Sequence, residues 1–125
     1  MLTASIISLA TLTLLSIFQL LLIFGAPLGH FAWGGQNIIL SRKLRFGSAI
    51  SIATYFVFAI FIMSKAGIWI VISNKSILDM VLWAITYYLI LGIFLNAISR
   101  SKLERYTMTP VTLILAICLF FIASN

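Results

Sequence analysis

Acid is what this chain lacks most. Only Asp79 and Glu104 are acidic among 125 residues, against eight Lys or Arg, and charged residues make up 8% of the whole. A soluble domain carries about 25%. With 63% of its residues hydrophobic, a water-soluble fold of this length would expose apolar surface it cannot hide, so lipid must cover part of it. The other shortages remove chemistries in turn. Cys118 is the only cysteine, which excludes an internal disulfide and any Cys pair for a metal, and leaves it as a small hydrophobe. His30 is the only histidine, so no His–His metal pair arises from one chain. Two acids near the ends of apolar runs offer no paired carboxylate for acid–base work. H-E-x-x-H, G-x-S-x-G and the phosphate-cradling P-loop are all missing. No cofactor is expected.

The apolar runs that remain read as an all-α transmembrane bundle of four helices in a single domain, 1–125. The expected spans are about 2–24, 46–63, 77–98 and 106–123. A hydrocarbon core of about 30 Å needs roughly 20 helical residues, and the first run meets that with some tilt. It lacks the basic n-region and A-x-A site of a cleaved leader, so it is expected to be a retained span. Ser5, Ser8, Ser16 and Gln19 fall on one narrow face at helical spacing, which should point into the bundle rather than at acyl chains. In the second span Gly47, Ser51, Thr54, Tyr55 and Phe58 share a face, and Gly47 with Ser51 forms a small-xxx-small pair permitting close helix approach. Ser41 is a plausible N-cap if this helix starts earlier, at Arg42. Lys65 to Ser76 connects to the third span, with Trp69 as an interface anchor and Asn74-Lys75 as the turn. Its middle, 68–72, either extends the helix or lies flat at the surface.

Ser76 and Asp79 fit a capping box for the third span, which gives Asp79 a structural task. Ala84, Tyr88, Gly92, Asn96 and Arg100 recur every four residues as a gently spiralling face, while Trp83 and Tyr87 read as lipid-side or interface aromatics. Arg100 and Glu104 have the spacing of a helical ion pair. Thr109-Pro110 suggests an N-cap and N1 pair, but Pro110 to Ala123 is only 14 residues, so the fourth span must begin near Tyr106 or sit in a thinned bilayer. Lys43-Leu44-Arg45-Phe46 and Lys102-Leu103-Glu104-Arg105-Tyr106 form a faint repeat ahead of spans two and four. Basic-then-aromatic flanks also arise at any membrane entry.

The net charge of +6 would suggest nucleic acid in a soluble protein. Here the basic residues lie between apolar runs, so they speak for orientation and anionic headgroups, and the bilayer is the expected partner, with no nucleic acid. The first and third loops carry Arg42, Lys43, Arg45, Arg100, Lys102 and Arg105, and the middle loop carries only Lys65 and Lys75. Six against two predicts cytoplasmic first and third loops and both termini outside.

What chemistry there is gathers in the longest interruption of the apolar pattern, Gly25 to Ser48, which holds five of the seven glycines and one of the two prolines. His30, Trp33, Gln36 and Asn37 are its candidate ligand- or partner-binding residues, with Arg100 and Glu104 across the same face. Histidine changes charge near neutral pH, and the glycines let backbone amides approach a ligand or fold the loop back into the membrane, provided protein or water satisfies them. The plainer account is an interfacial connector with Trp33 and His30 at headgroup depth. Ser16, Gln19, Tyr55, Tyr88 and Asn96 are the candidate bundle-lining polar residues.

G-A-P-L-G-x-x-A-W-G-G-Q from Gly25, followed by Leu44-Arg45-x-Gly47-Ser48, resembles a group of small bacterial four-span membrane proteins of unassigned activity. Asn96-x-x-Ser99-Arg100-Ser101, Glu104-Arg105 and Pro110-Val111 resemble it too. The resemblance implies a bacterial inner (plasma) membrane setting and a four-span fold, and no substrate. Small multidrug exporters are similar in length and span number, but they carry a glutamate in the middle of the first span where this chain offers only Gln19. Three functions remain in view. The first is a non-enzymatic protein that binds a lipid or lipophilic ligand or serves a larger membrane complex. The second is an oligomeric transporter or channel, which four short helices would need to assemble, as a homodimer, to form. The third is a membrane enzyme using His30 and Glu104.

Overall fold

The computed structural model describes residues 1–35 and 37–125. Among them the chain forms four long helices: α1 Leu2–Ile23, α2 Arg42–Ala66, α3 Lys75–Ala97 and α4 Lys102–Ser124. Each is long and apolar enough to cross a membrane, and the molecule is a multi-pass membrane protein. At 1.5 Å per residue the shortest, the 22-residue α1, reaches about 33 Å, enough for the hydrocarbon layer.

The helix ends are set by side-chain caps, and these move several of the expected boundaries. Ser41 Oγ accepts the Leu44 N–H at 3.4 Å, so α2 starts at Arg42 rather than Phe46. It ends at the left-handed Gly67 instead of at Met63. Residues 68–72 do not continue it. They fold back on buried Ser64, whose hydroxyl accepts the N–H groups of Val71 and Ile72 at 3.1 and 3.2 Å. Asn74 is the N-cap of α3, its Oδ1 accepting the Ile77 N–H at 3.2 Å, and Lys75 is the first helical residue. The expected Asn74-Lys75 turn and the Ser76–Asp79 capping box are therefore not formed. Asp79 is released for another partner, the Lys65 ammonium, in the one ion pair among the described residues.

Ser101 caps α4 through the Glu104 N–H. The helix thus begins four residues before Tyr106, and Pro110 lies inside it rather than at its first turn. The 23 residues of α4 resolve the shortage that a Pro110 start would create. The proline leaves one carbonyl of the preceding turn unpaired, which neighbouring groups in a membrane helix can satisfy. Arg100 precedes the cap, so it does not share a helix with Glu104 and the expected ion pair between them is absent.

The buried core lies in one half of the bundle. Leu12, Ile62, Leu82, Ile85, Leu89, Leu115, Leu119 and Ile122 pack together. They run from the helix ends at the termini and the α2–α3 turn as far as the helix middles, where Leu12, Leu89 and Leu115 lie. Ser5 and Ser8 are fully buried on the inward face of α1, where their hydroxyls donate to the carbonyls of Met1 and Ala4. This is the orientation their spacing predicts. On α3 the buried stripe is Leu78, Leu82, Ile85, Thr86 and Leu89. The expected stripe of Ala84, Tyr88, Gly92, Asn96 and Arg100 therefore lies to one side of the core, with Ala84, Tyr88 and Arg100 exposed. Pairs α1–α2 and α3–α4 pack closely along their lengths, whereas α2 and α3 meet much less.

Candidate functional site

The segment between α1 and α2 is not a loose connector. It folds back over its end of the bundle through two short 3-10 turns, Gly29–Phe31 and Trp33–Gly35. The Gly29 N–H donates to the Ile38 carbonyl at 2.7 Å, closing the segment on itself. Phe31 meets Phe18 of α1 edge to face, with centroids 6.5 Å apart. The Trp33 indole N–H donates to Ser48 Oγ of α2 at 3.3 Å. Ser48 lies six residues into α2, roughly 9 Å along its axis.

That inward reach requires unusual backbone. Trp33, Gly34 and Gly35 all have positive φ, at 53°, 74° and 72°. For tryptophan this conformation costs about 1–2 kcal/mol, so contacts elsewhere must offset it. The first is with α2: a Cβ at Gly47 would lie 2.9 Å from the Trp33 ring. The Gly47–Ser51 notch, expected to admit a neighbouring helix, admits the indole instead. The second is with the start of α4. Glu104 Oε2 accepts the Gly34 N–H at 2.9 Å, and the Ser101 hydroxyl donates to the His30 carbonyl. Gly35 sits so close to Ser101 that a Cβ there would fall 2.4 Å from the serine Cβ.

His30 is turned into this clasp. Its Nδ1 lies 2.9 Å from the Gly35 carbonyl. A carbonyl only accepts, so Nδ1 carries a proton, and in the neutral ring Nε2 is left as the acceptor.

Beneath the folded-back segment lies a cavity of about 380 Å³, walled by all four helices. Its sides are mainly apolar, among them Leu15, Phe18, Phe58, Leu89 and Leu115. Its polar groups are few and come from all four helices, among them Gln19, Ser51, Tyr55, Asn96, Glu104 and Thr112. Asn96 Nδ2 donates to Thr112 Oγ1 at 2.9 Å, joining α3 to α4. Ser51 donates to the Gly47 carbonyl at 3.1 Å. Gln19 is 8% exposed, and its Oε1 has no hydrogen-bond partner among the described residues. Trp33, Ser51, Tyr55 and Tyr88 also wall a groove of about 300 Å³ reaching Ile50 and Thr54. The groove shares these four residues with the cavity and lies at the sparse α2–α3 contact, on the side of the bundle.

The candidate residues thus divide. His30 and Trp33 belong to the folded-back segment, Glu104 ties it down and faces the cavity, and Gln19, Tyr55, Tyr88 and Asn96 line the cavity. Tyr88 is 60% exposed and stands where cavity and groove meet, edge-on to Phe58 at 6.0 Å. Ser16 is half-buried and Arg100 exposed, and neither is in the cavity wall. Asn37 is half-buried; its carbonyl lies close against Gly29. Gln36 lies outside the described residues. Ser48 and Ser101 hold the segment in place and were not among the sequence candidates. Ser101 had one visible signal, its position three residues before Glu104 at the start of a basic helix. Among the described residues no three of His, Cys, Asp and Glu gather to hold a metal.

Compared with protein-family models, curated proteins and solved structures, the chain finds no match.

Proposed function

We propose that this membrane protein is non-enzymatic and binds a lipophilic ligand, a lipid or similar amphiphile, in the cavity under the folded-back segment. The observation that carries the reading is the cavity itself: mostly apolar walls, a few convergent polar groups and a groove at the α2–α3 contact. Such a pocket suits small lipophilic ligands, and an opening along that groove would let a ligand arrive from the bilayer without crossing water. The resemblance of the Gly25–Gln36 motif supports a bacterial plasma membrane as the setting, and the six-against-two distribution of basic residues supports cytoplasmic placement of the segment.

Protein extracted gently into nanodiscs is expected to carry a lipophile that solvent extraction and mass spectrometry recover. Ser51→Phe, which fills the cavity from α2, should retain several-fold less. Equal recovery from both proteins would remove the reading. The orientation has its own test: a membrane-impermeant thiol reagent applied to intact cells should label Ser73→Cys and spare Lys43→Cys, and the reverse pattern would invert the topology.

A further inference from the structure

The polar groups in the cavity wall are unbalanced. Glu104 brings a carboxylate to the wall, and no lysine, arginine or histidine lines the cavity with it. Glu104 is 8% exposed. Its Oε2 holds the Gly34 N–H, but among the described residues no cation lies within ion-pair distance of it. Two basic residues of this end make other contacts: Arg45 Nε donates to the Leu40 carbonyl at 3.0 Å, and the Arg105 guanidinium lies 5.2 Å from the centre of the Tyr106 ring. On the α1 wall, buried Gln19 lies beside the Tyr55 hydroxyl and presents a second acceptor, its Oε1, which has no partner among the described residues. A buried acceptor without a donor costs free energy, and a buried carboxylate without a cation costs more.

We infer that the ligand is an amphiphile with a protonated amine at its polar end, and that Glu104 and Gln19 are the acceptors selecting it. This rests on the cavity being a lipophile site and specifies its chemistry. A hydroxyl head would satisfy Gln19 while leaving the Glu104 charge unmatched. A carboxylate head would meet a like charge. A quaternary ammonium would match the charge but has no N–H for Gln19 Oε1. A primary ammonium supplies both in a compact group with three donors. Its alkyl chain would lie along Leu15, Leu89 and Leu115 and leave past Tyr88 into the bilayer.

The experiment compares four probes of equal chain length: dodecylamine at neutral pH, dodecyltrimethylammonium, dodecanol and dodecanoate. Each is titrated into nanodiscs of uncharged lipid holding the parent protein or Ser51→Phe, the difference between the two removing partition into the bilayer. Dodecylamine is expected to bind at least tenfold more tightly than dodecanol, with the trimethylammonium compound between them and dodecanoate weakest. Glu104→Gln keeps an acceptor for the Gly34 N–H while deleting the charge, and should erase the preference for amine over alcohol. Gln19→Leu, which leaves Glu104 in place, should weaken dodecylamine several-fold with little effect on the trimethylammonium compound. If all four bind in a Ser51-dependent way but without preference for the amine, the cavity is a lipophile site and this inference fails alone. If none binds in that way, both readings fail. A preference that persists in Glu104→Gln would also overturn it.

Discussion

The two ends of this bundle are built on different principles. At the end holding the termini and the α2–α3 turn, apolar side chains from all four helices interlock. There Lys65 and Asp79 pin α2 to α3, and Ser64 folds the turn on itself. At the other end α2 and α3 part, a cavity replaces the core, and a segment with three successive positive-φ residues is tied down by Glu104, Ser101 and Ser48. Close packing and satisfied polar groups provide stability. Empty space, an unpartnered acceptor and backbone strain reduce it, and they persist where the surroundings fix them in place. The contrast sets a closely packed half against an open one, and the proposed ligand would lie in the open half.

The strongest way to break that contrast is to exchange the treatment of the two halves. Leu119→Ala in the packed half removes a side chain that is 1% exposed. Because lipid is as apolar as leucine, the loss is mostly packing, and about 2–3 kcal/mol is expected, in the lower part of the range for such truncations. Unfolding by denaturant in mixed micelles would read it. Ser51→Phe adds volume to the open half and should cost well under half as much, since the ring enters existing space. Equal costs would mean that the cavity is not spare room.

The next largest effect concerns the pin. Asp79→Ala leaves the Lys65 ammonium, whose side chain is 7% exposed, without its partner. Removing one member of a fully buried pair costs about 3–5 kcal/mol. Asp79 is one-third exposed, so about 2 kcal/mol is expected. Replacing both residues by Met and Leu should recover most of it, and a double-mutant cycle would measure the coupling. If ligand retention falls along with stability, the two ends do not act separately. Gly35→Ala is smaller in stability, about 1–2 kcal/mol for the positive φ, but its Cβ cannot coexist with that of Ser101. It should lift the segment and increase acrylamide quenching of Trp33 fluorescence, best measured with Trp69 and Trp83 replaced by Phe.

How much of this was readable beforehand differs between the halves for a physical reason. Helical existence and the inward face of α1 follow from hydropathy and periodicity, and Ser5, Ser8 and Gln19 are buried as their spacing implies. Helix ends depend on which of several competing caps wins. Asn74 prevails over Ser76, and Ser101 over Thr109, differences of two residues and of about two turns that local pattern does not decide. The loop was recognisable as a concentration of glycine and polar residues. Its partners were not, because the Gly34–Glu104 and His30–Ser101 bonds join positions about 70 residues apart. No periodicity encodes such a meeting. Glu104 illustrates the difficulty: the sequence supplies a nearby cation in Arg100, and only the position of the cap shows that the two do not share a helix.

The finest test asks which contact holds the folded-back segment. Trp33→Phe keeps an aromatic ring and keeps the strained backbone, since phenylalanine also disfavours positive φ. It deletes the indole N–H to Ser48, a long bond of 3.3 Å expected to contribute about 0.5–1 kcal/mol, and, from a residue that is 41% exposed, the outer ring atoms that sit against Gly47. Its effect on stability should therefore be smaller than that of Gly35→Ala, with ligand retention nearly unchanged. That ranking follows if the Glu104 and Ser101 contacts carry the segment and the tryptophan fills the Gly47 notch mainly by shape. Should Trp33→Phe prove the more damaging of the two, the segment hangs from α2 rather than from α4. Glu104 would then be free to serve the cavity without also serving as the latch.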